Sequence, residues 1–433
     1  MGIVEKGIGA LSRVAAEAPA LRKTASAAKE IPPILSPSAP QPSLGALSRA
    51  FETAIARHTA LTLEERMLSA QDAEARVAEY MGREKNGRVK PLLTQNVKLM
   101  KADQGYNLDG VNPLKLDTGE GVETTGLALS PALRVGKFNT CPNSESCKGA
   151  CLGKTAGNYY QLGGGQDMEA MLGPRLSSYN RTRAFLNDPE AFAVHLHEEL
   201  NAAREAAAQN GNRLGVRLNV LSDIHPKVYK SLMDANPEVG FYDYTKNINA
   251  APVADNHQLT YSSTGVSQPA SVTGLAKDVE NPHSNWHQLR KKIDAGHNVT
   301  MSFSNKLHMP ESVLDQETGV AYPVLNGDMH DFRPIDGQAP DGRGWIVGLK
   351  NKAANSSHAN AVEGSGGFFI HYDPKIPMEN GKQVRNPDGT PVIGNKQVVI
   401  APQPRKNIFM DNDGKHLNIN ELGEVEQLPP LPE

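Results

Sequence analysis

The stretch Pro189–Ile224, PEAFAVHLHEELNAAREAAAQNGNRLGVRLNVLSDI, reads as one helix followed by one strand, and that pairing decides the fold. Phe192, Leu196, Leu200 and Ala203 share one face at helical spacing, and Asn210-Gly211 marks the helix end. Val216–Ser222 then reads as a strand. Further candidate strands are Gly126–Ser130, Gly240–Thr245, Gln258–Ser263, Asn298–Ser304, Ala321–Gly327, Gly344–Lys350 and Gly367–Tyr372. Shorter helices fit Pro226–Ala235 and Asn285–Ala295, the latter closed by Gly296. Strand, helix and strand at this spacing are the signature of parallel βα units. The pattern predicts an α/β protein with a TIM-like βα barrel, complete or incomplete, and an open doubly wound sheet is the alternative. Residues 351–366 offer no evident crossover helix.

Outward from this core, the chain divides into three. Residues 1–90 read as a helical arm with a Pro-rich linker. Val4, Ile8, Leu11 and Ala15 share a face in residues 1–30, and residues 31–44 are rich in Pro and Ser. A second helix is expected near 44–58. A third starts at Thr62 with Glu65 three residues on, a capping box, and Leu63, Met67, Ala70, Val77 and Met81 mark its apolar face. Residues 91–373 form the α/β core, and residues 374–433 a loop-rich tail with a hairpin candidate at Asn386–Ile400. Short amphipathic helices beyond a linker predict an arm that the core does not need for folding.

Composition narrows the function classes. Among 433 residues, Lys plus Arg is 45 and Asp plus Glu is 48, a net charge of −3, so no global basic excess advertises nucleic-acid binding. No apolar run of about 18 residues predicts a membrane span. The first residues lack the apolar run of a secretory signal, which predicts a cytoplasmic protein. The three cysteines, Cys141, Cys147 and Cys151, lie on one short loop. An odd, clustered set suits a reducing compartment and a ligand cluster better than a disulfide framework.

Three thiolates on a short Gly/Pro loop can wrap one metal centre. The spacing C-x5-C-x3-C is neither a zinc-finger spacing nor the C-x3-C-x2-C of radical-SAM enzymes. A [4Fe–4S] cluster with one open iron, able to take S-adenosylmethionine, fits three cysteines; zinc with a fourth ligand from histidine is the alternative, and packing cysteines without metal are a third reading. A second pattern lies at strand ends. Asp223, Asp243, Lys246, Asp328 and Lys350 are the candidate catalytic groups. Ser222, Ser262, Asn305, Asp331 and Lys352 are candidate cofactor or ligand contacts. In parallel α/β folds the carboxyl ends of strands share one edge, where active sites sit. Taken singly, Asp223 fits a helix cap and Asp243 a pair with Lys246. Gly163-Gly164-Gly165, with Arg175, Arg181 and Arg183 beyond, fits an anion-binding segment or merely a loop and a helix pairing with its neighbours.

Phe138 through Leu152, Gly157, Arg181-Thr-Arg183, Arg217 through Ile224, Phe241 through Lys246, Gly327-Asp328, Asp331-Phe-Arg333, and Ile346 through Lys350 with Lys352 together resemble the phage "gene product 88" family. The resemblance covers roughly residues 95–372. It implies a phage, prophage or plasmid setting and an intracellular protein. It also extends, by analogy, to radical-SAM-like barrels. The expected activity is that of an iron–sulfur enzyme on a polar substrate, a nucleotide or nucleic acid. The rival is a zinc-stabilised, non-catalytic module whose arm binds a host or virion protein.

Overall fold

The structure, a computed structural model, describes residues 42–95, 99, 116, 118–132, 135, 138–144, 147, 174–352, 365–403, 407–410, 416–419 and 425–427. The helix expected within residues 1–30, Cys151, the glycines at 163–165 and most of 351–366 lie outside the described residues. Residues 40–433 belong to one compact unit.

Two helices open the described chain, α1 (Leu44–Thr59) and α2 (Leu63–Met81). Ser43 caps the first, its Oγ accepting from the Ala46 amide at 3.1 Å. Thr62 and Glu65 form the expected capping box at the second. Leu47, Phe51 and Ile55 of α1 are buried, and Phe51 packs edge-on against Phe185 and Tyr229 at 5.9 and 5.6 Å. The apolar stripe expected on α2 divides: Val77 and Met81 are buried, whereas Leu63 and Met67 face solvent. The helices from Leu44 to Met81 are thus docked on the α/β core rather than detached from it.

The remaining helices are α3 (Pro174–Asn187), α4 (Pro189–Gln209), α5 (Lys230–Asp234), α6 (Ala270–Thr273) and α7 (Trp286–Asp294). The strands are β1 (Leu93–Thr94), β2 (Gly121–Leu127), β3 (Asn212–Arg217), β4 (Gly240–Thr245), β5 (His257–Ser262), β6 (Val299–Phe303), β7 (Ser312–Asp315), β8 (Val320–Asn326), β9 (Ile346–Lys350), β10 (Met378–Glu379), β11 (Lys382–Gln383), β12 (Gln397–Ile400), β13 (Asn407–Met410), β14 (His416–Ile419) and β15 (Val425–Gln427). Ten of them form one mostly parallel sheet in the order β1-β2-β3-β4-β5-β6-β9-β8-β7-β12. β2 through β6, then β9 and β8, run parallel; β1 and β7 pair antiparallel with β2 and β8, and β12 runs parallel to β7.

Several expected strands shift. β3 begins at Asn212, immediately after the helix-ending Asn210-Gly211, and stops at Arg217, because Asn219 draws the next residues into a hydrogen-bonded loop. The expected strand near 370 reduces to one bridge, Ile370 to Phe303. The tail contributes more than loops: β12 carries buried Val398 and Ile400 into the main sheet, although the expected hairpin there is only the bridge Arg385–Pro391 ahead of it.

Period-two alternation divides the sheet faces. One face presents Leu259, Tyr261, Val299, Met301 and Ile346 to Trp286, Leu289 and Ile293 of α7 in one apolar cluster. The other brings Val122 and Tyr242 against Leu99 and Phe332. Phe332 arrives on the β8–β9 crossover. A Cβ on Gly215 would stand 2.6 Å from its ring, so only glycine lets the aromatic rest on β3.

Candidate functional site

The parallel strands end on one edge, and two polar groups form there. The first lies beyond β3 and β4. The Asn219 amide donates to Asp243 Oδ1 at 2.7 Å, and Asn219 Oδ1 accepts from Ser222 Oγ at 2.9 Å and the Ile224 amide at 3.0 Å. Asn219 thereby folds the 219–224 loop around its own side chain. Within that loop the Asp223 amide donates to Thr140 O at 2.8 Å, and Asp223 Oδ2 accepts from the Lys246 amide at 3.0 Å. Cys141 Sγ donates to Leu221 O at 3.4 Å, which seats Cys141 on the same edge. Burial pushes the Cys141 thiol up to about 11, with Asp223 adding to the rise and Lys246 opposing it. Cys147 Sγ donates to Ser144 O at 3.4 Å. Lys246 Nζ stands 5.9 Å from the Phe368 ring centre.

Asp243 does not share the open edge with its neighbours. It is 2% exposed, and alternation along β4 puts it on the face opposite Tyr242 and Tyr244. Burial pushes its carboxyl up to about 7. His257 Nε2 is 3.9 Å from Asp243 Oδ2, too far for a hydrogen bond, and burial pushes that imidazole down to about 4. His257 Nδ1 accepts from the Val253 amide at 3.3 Å, which leaves the proton of the neutral ring on Nε2. Tyr229 OH is a third buried polar atom without a hydrogen bond among the described residues.

The second group lies beyond β8 and β9. Asp328 Oδ2 accepts from the Lys350 amide at 3.1 Å, and its Oδ1 is 2.7 Å from Lys352 Nζ. Asn305 Oδ1 accepts from the Leu307 and His308 amides at 2.9 and 2.8 Å and so shapes the loop before β7. Beside these residues lies a cleft of about 310 Å³, lined by His308, Met309, Val324, Asn326, Lys350 and Ile393 among others. A Cβ on Gly348 would collide with the Met309 thioether, so the glycine inside β9 admits the cleft floor.

Two other candidates stand elsewhere. Ser262 Oγ accepts from Thr300 Oγ1 at 3.2 Å between neighbouring strands. Asp331 is buried on the Phe332 face, 3.1 Å from Arg217 and 3.3 Å from Tyr244 OH, and Arg217 stacks 4.3 Å over the Tyr244 ring. Arg181 donates to Pro91 O at 3.0 Å, and Arg183 lies 5.7 Å from the Tyr80 ring centre, both tying α3 to the preceding chain. Sequence reasoning missed His308; the signal was Gly348, a glycine inside an otherwise apolar strand.

The arrangement is that of an α/β protein with a polar site at its strand ends. The chain belongs to the phage gene product 88 family, whose family model matches residues 91–363. Nothing in that match extends the resemblance to radical-SAM proteins. No curated protein and no solved structure matches it. Among the described residues no helix is long and apolar enough to cross a membrane. Among them, too, no three His, Cys, Asp or Glu side chains gather as a metal site; Cys151 is not one of those residues.

Proposed function

We propose that this protein works in the host cytoplasm as a metalloenzyme that takes a polar anionic substrate, a nucleotide or nucleic-acid-like molecule, at the edge where its parallel strands end. Cys141, Cys147 and Cys151 hold an iron–sulfur cluster beside that edge. One observation carries the reading: the described cysteine nearest the core, Cys141, is seated on the β3 loop with Asp223 and Lys246 around it. A buried thiol held up near 11 has to lose its proton to ligate, so metal uptake releases protons and strengthens as pH rises. When bound, a three-cysteine cluster supplies electron transfer and one open coordination position. Asp223 orients the Lys246 backbone, and the Lys246 ammonium brings positive charge for an anionic group.

The reading includes a sheet curled as an incomplete βα barrel. Five strand spacings separate β8 from β3, about 24 Å on a flat sheet. Met329 turns back to Asn326 through a backbone hydrogen bond, and the chain from there to Phe332 reaches no more than roughly 20 Å. Phe332 nonetheless rests on Gly215, which supports curvature.

The second reading, a zinc-stabilised module that binds a host or virion protein through its helical arm, draws on Leu63, Met67 and Leu68, which are 74%, 57% and 61% exposed on α2. Anaerobic purification of the full chain separates the two. A brown protein with iron and sulfide, bleached in each of Cys141→Ala, Cys147→Ala and Cys151→Ala, is the expected result. A colourless protein with one zinc selects the module. Metal-free protein under both iron and zinc supply rejects both.

A further inference from the structure

The cleft beside β9 is assembled from chain segments far apart in sequence: the loop before β7, the end of β8, the end of β9 and Ile393. Its volume, about 310 Å³, sits at the lower end of the range for small-ligand sites. Met309, Val324 and Ile393 give it apolar walls. Three nitrogen donors reach the same space. Lys350 Nζ makes no hydrogen bond or ion pair among the described residues, because Asp328 takes the Lys350 amide and the Lys352 ammonium instead. His308 lines the same cleft as Lys350, and its imidazole is pushed down by burial and then by the Lys350 charge. Asn326 uses its Oδ1 to accept from the Asp328 amide at 3.1 Å, which leaves its Nδ2 as a donor. The one carboxylate in the lining, Glu311, is neutralised by Lys396 at 2.8 Å.

We propose that this cleft binds the phosphate monoester of a small ligand, with Lys350, His308 and Asn326 each meeting one non-bridging oxygen and the apolar walls taking part of the organic body. A carboxylate offers only two oxygens to three donors, and a neutral ligand leaves the Lys350 charge uncompensated. The inference rests on the reading of the strand-end edge as a ligand site, and needs no metal at the cysteine loop.

Isothermal titration of the full chain with inorganic phosphate, adenosine 5′-monophosphate and a single-stranded oligonucleotide tests it. Phosphate and the monophosphate should bind at one site, the monophosphate more tightly. Lys350→Met should weaken both by at least about tenfold, and His308→Gln by about threefold to tenfold, since charge-assisted contacts exceed neutral ones. Lys382→Ala, on the exposed β10–β11 hairpin, should change nothing. The His308 ring protons, followed by NMR, should titrate at higher pH with phosphate bound. Thermal unfolding checks that each variant is folded; where Lys350→Met is not, His308→Gln and Asn326→Ala decide. No phosphate binding by the folded protein, or binding indifferent to these substitutions, overturns the proposal. Binding of the oligonucleotide alone also overturns it, in favour of a nucleic-acid surface. Cys141→Ala should keep phosphate binding, so failure at the cysteine loop and failure at the cleft remain distinguishable.

Discussion

The polar residues after β3 and β4 and those after β8 and β9 look alike in sequence, yet the structure uses them differently. Around β3 and β4, Asn219, Ser222, Asp223 and Asp243 point their polar atoms at one another and at backbone amides. They fix a loop on which Cys141 rests, and Tyr229 beneath them is packed by Phe51 of α1. Around β8 and β9, Asp328 and Lys352 close an outer pair while Lys350 and His308 face a cleft. The difference teaches that a polar residue at a strand end is a scaffold element when its hydrogen bonds close within the protein. It is available to a ligand when its charge faces an open cleft.

If the first region is scaffold, substitutions there should cost stability, and the largest loss should come from its support. Phe51→Ala leaves a cavity among Phe185, Phe192 and Tyr229 and should destabilise by about 3–5 kcal/mol, read from denaturant unfolding. A chain starting near Lys90 should fare worse still, and one starting near Pro40 should unfold like the full protein. A change under about 1 kcal/mol for Phe51→Ala would mean that α1 and α2 are the separable arm the sequence suggested.

Asp243→Ala, which strands the Asn219 amide, should cost about 1–3 kcal/mol. Asp243→Asn keeps an acceptor and should cost less, so an equal loss in both variants would deny the hydrogen bond its role.

The pH dependence sharpens the same contrast. Asp243 is raised from 3.8 to about 7, so its contribution is full below the lower value and fades as pH climbs through the upper one. His257 is depressed from 6.5 to about 4, so its contribution is full above 6.5 and fades as pH falls through 4. The two windows overlap between 4 and 6.5 and oppose each other there, so the stability of the full protein should stay nearly level across that range. Asp243→Asn should leave the His257 dependence alone, so its urea midpoints should climb from pH 4 to 6.5. A level profile in that variant would place the titration elsewhere.

The smallest effect belongs to the second region. Lys352 is 42% exposed, and Lys352→Ala should cost less than about 1 kcal/mol because solvent screens its pair with Asp328. A loss comparable to that of Asp243→Ala would make the β8–β9 end scaffold too and erase the comparison.

Much of this was written in local sequence. Helical spacing from Phe192 to Ala203, the Asn210-Gly211 stop and the Thr62–Glu65 capping box all formed as read, since each depends on residues within a few positions. So did the run of parallel strands, because βα alternation constrains connection and direction together. Tertiary structure alone decided the rest. Alternation turned Asp243 inward while Asp223 stayed with Cys141, and a shift of one residue in β4 would have exchanged the two faces. β12 joined the main sheet from a tail that reads as loop, because β7 offered an open edge. Leu63 and Val77, alike on one helical stripe, parted company because the core supports only the second half of α2. His308 and Lys350, more than forty residues apart in the chain, line one cleft in which Gly348 leaves room for Met309. Short-range patterns determine which elements form; only long-range packing decides which of their charges are left facing a cleft.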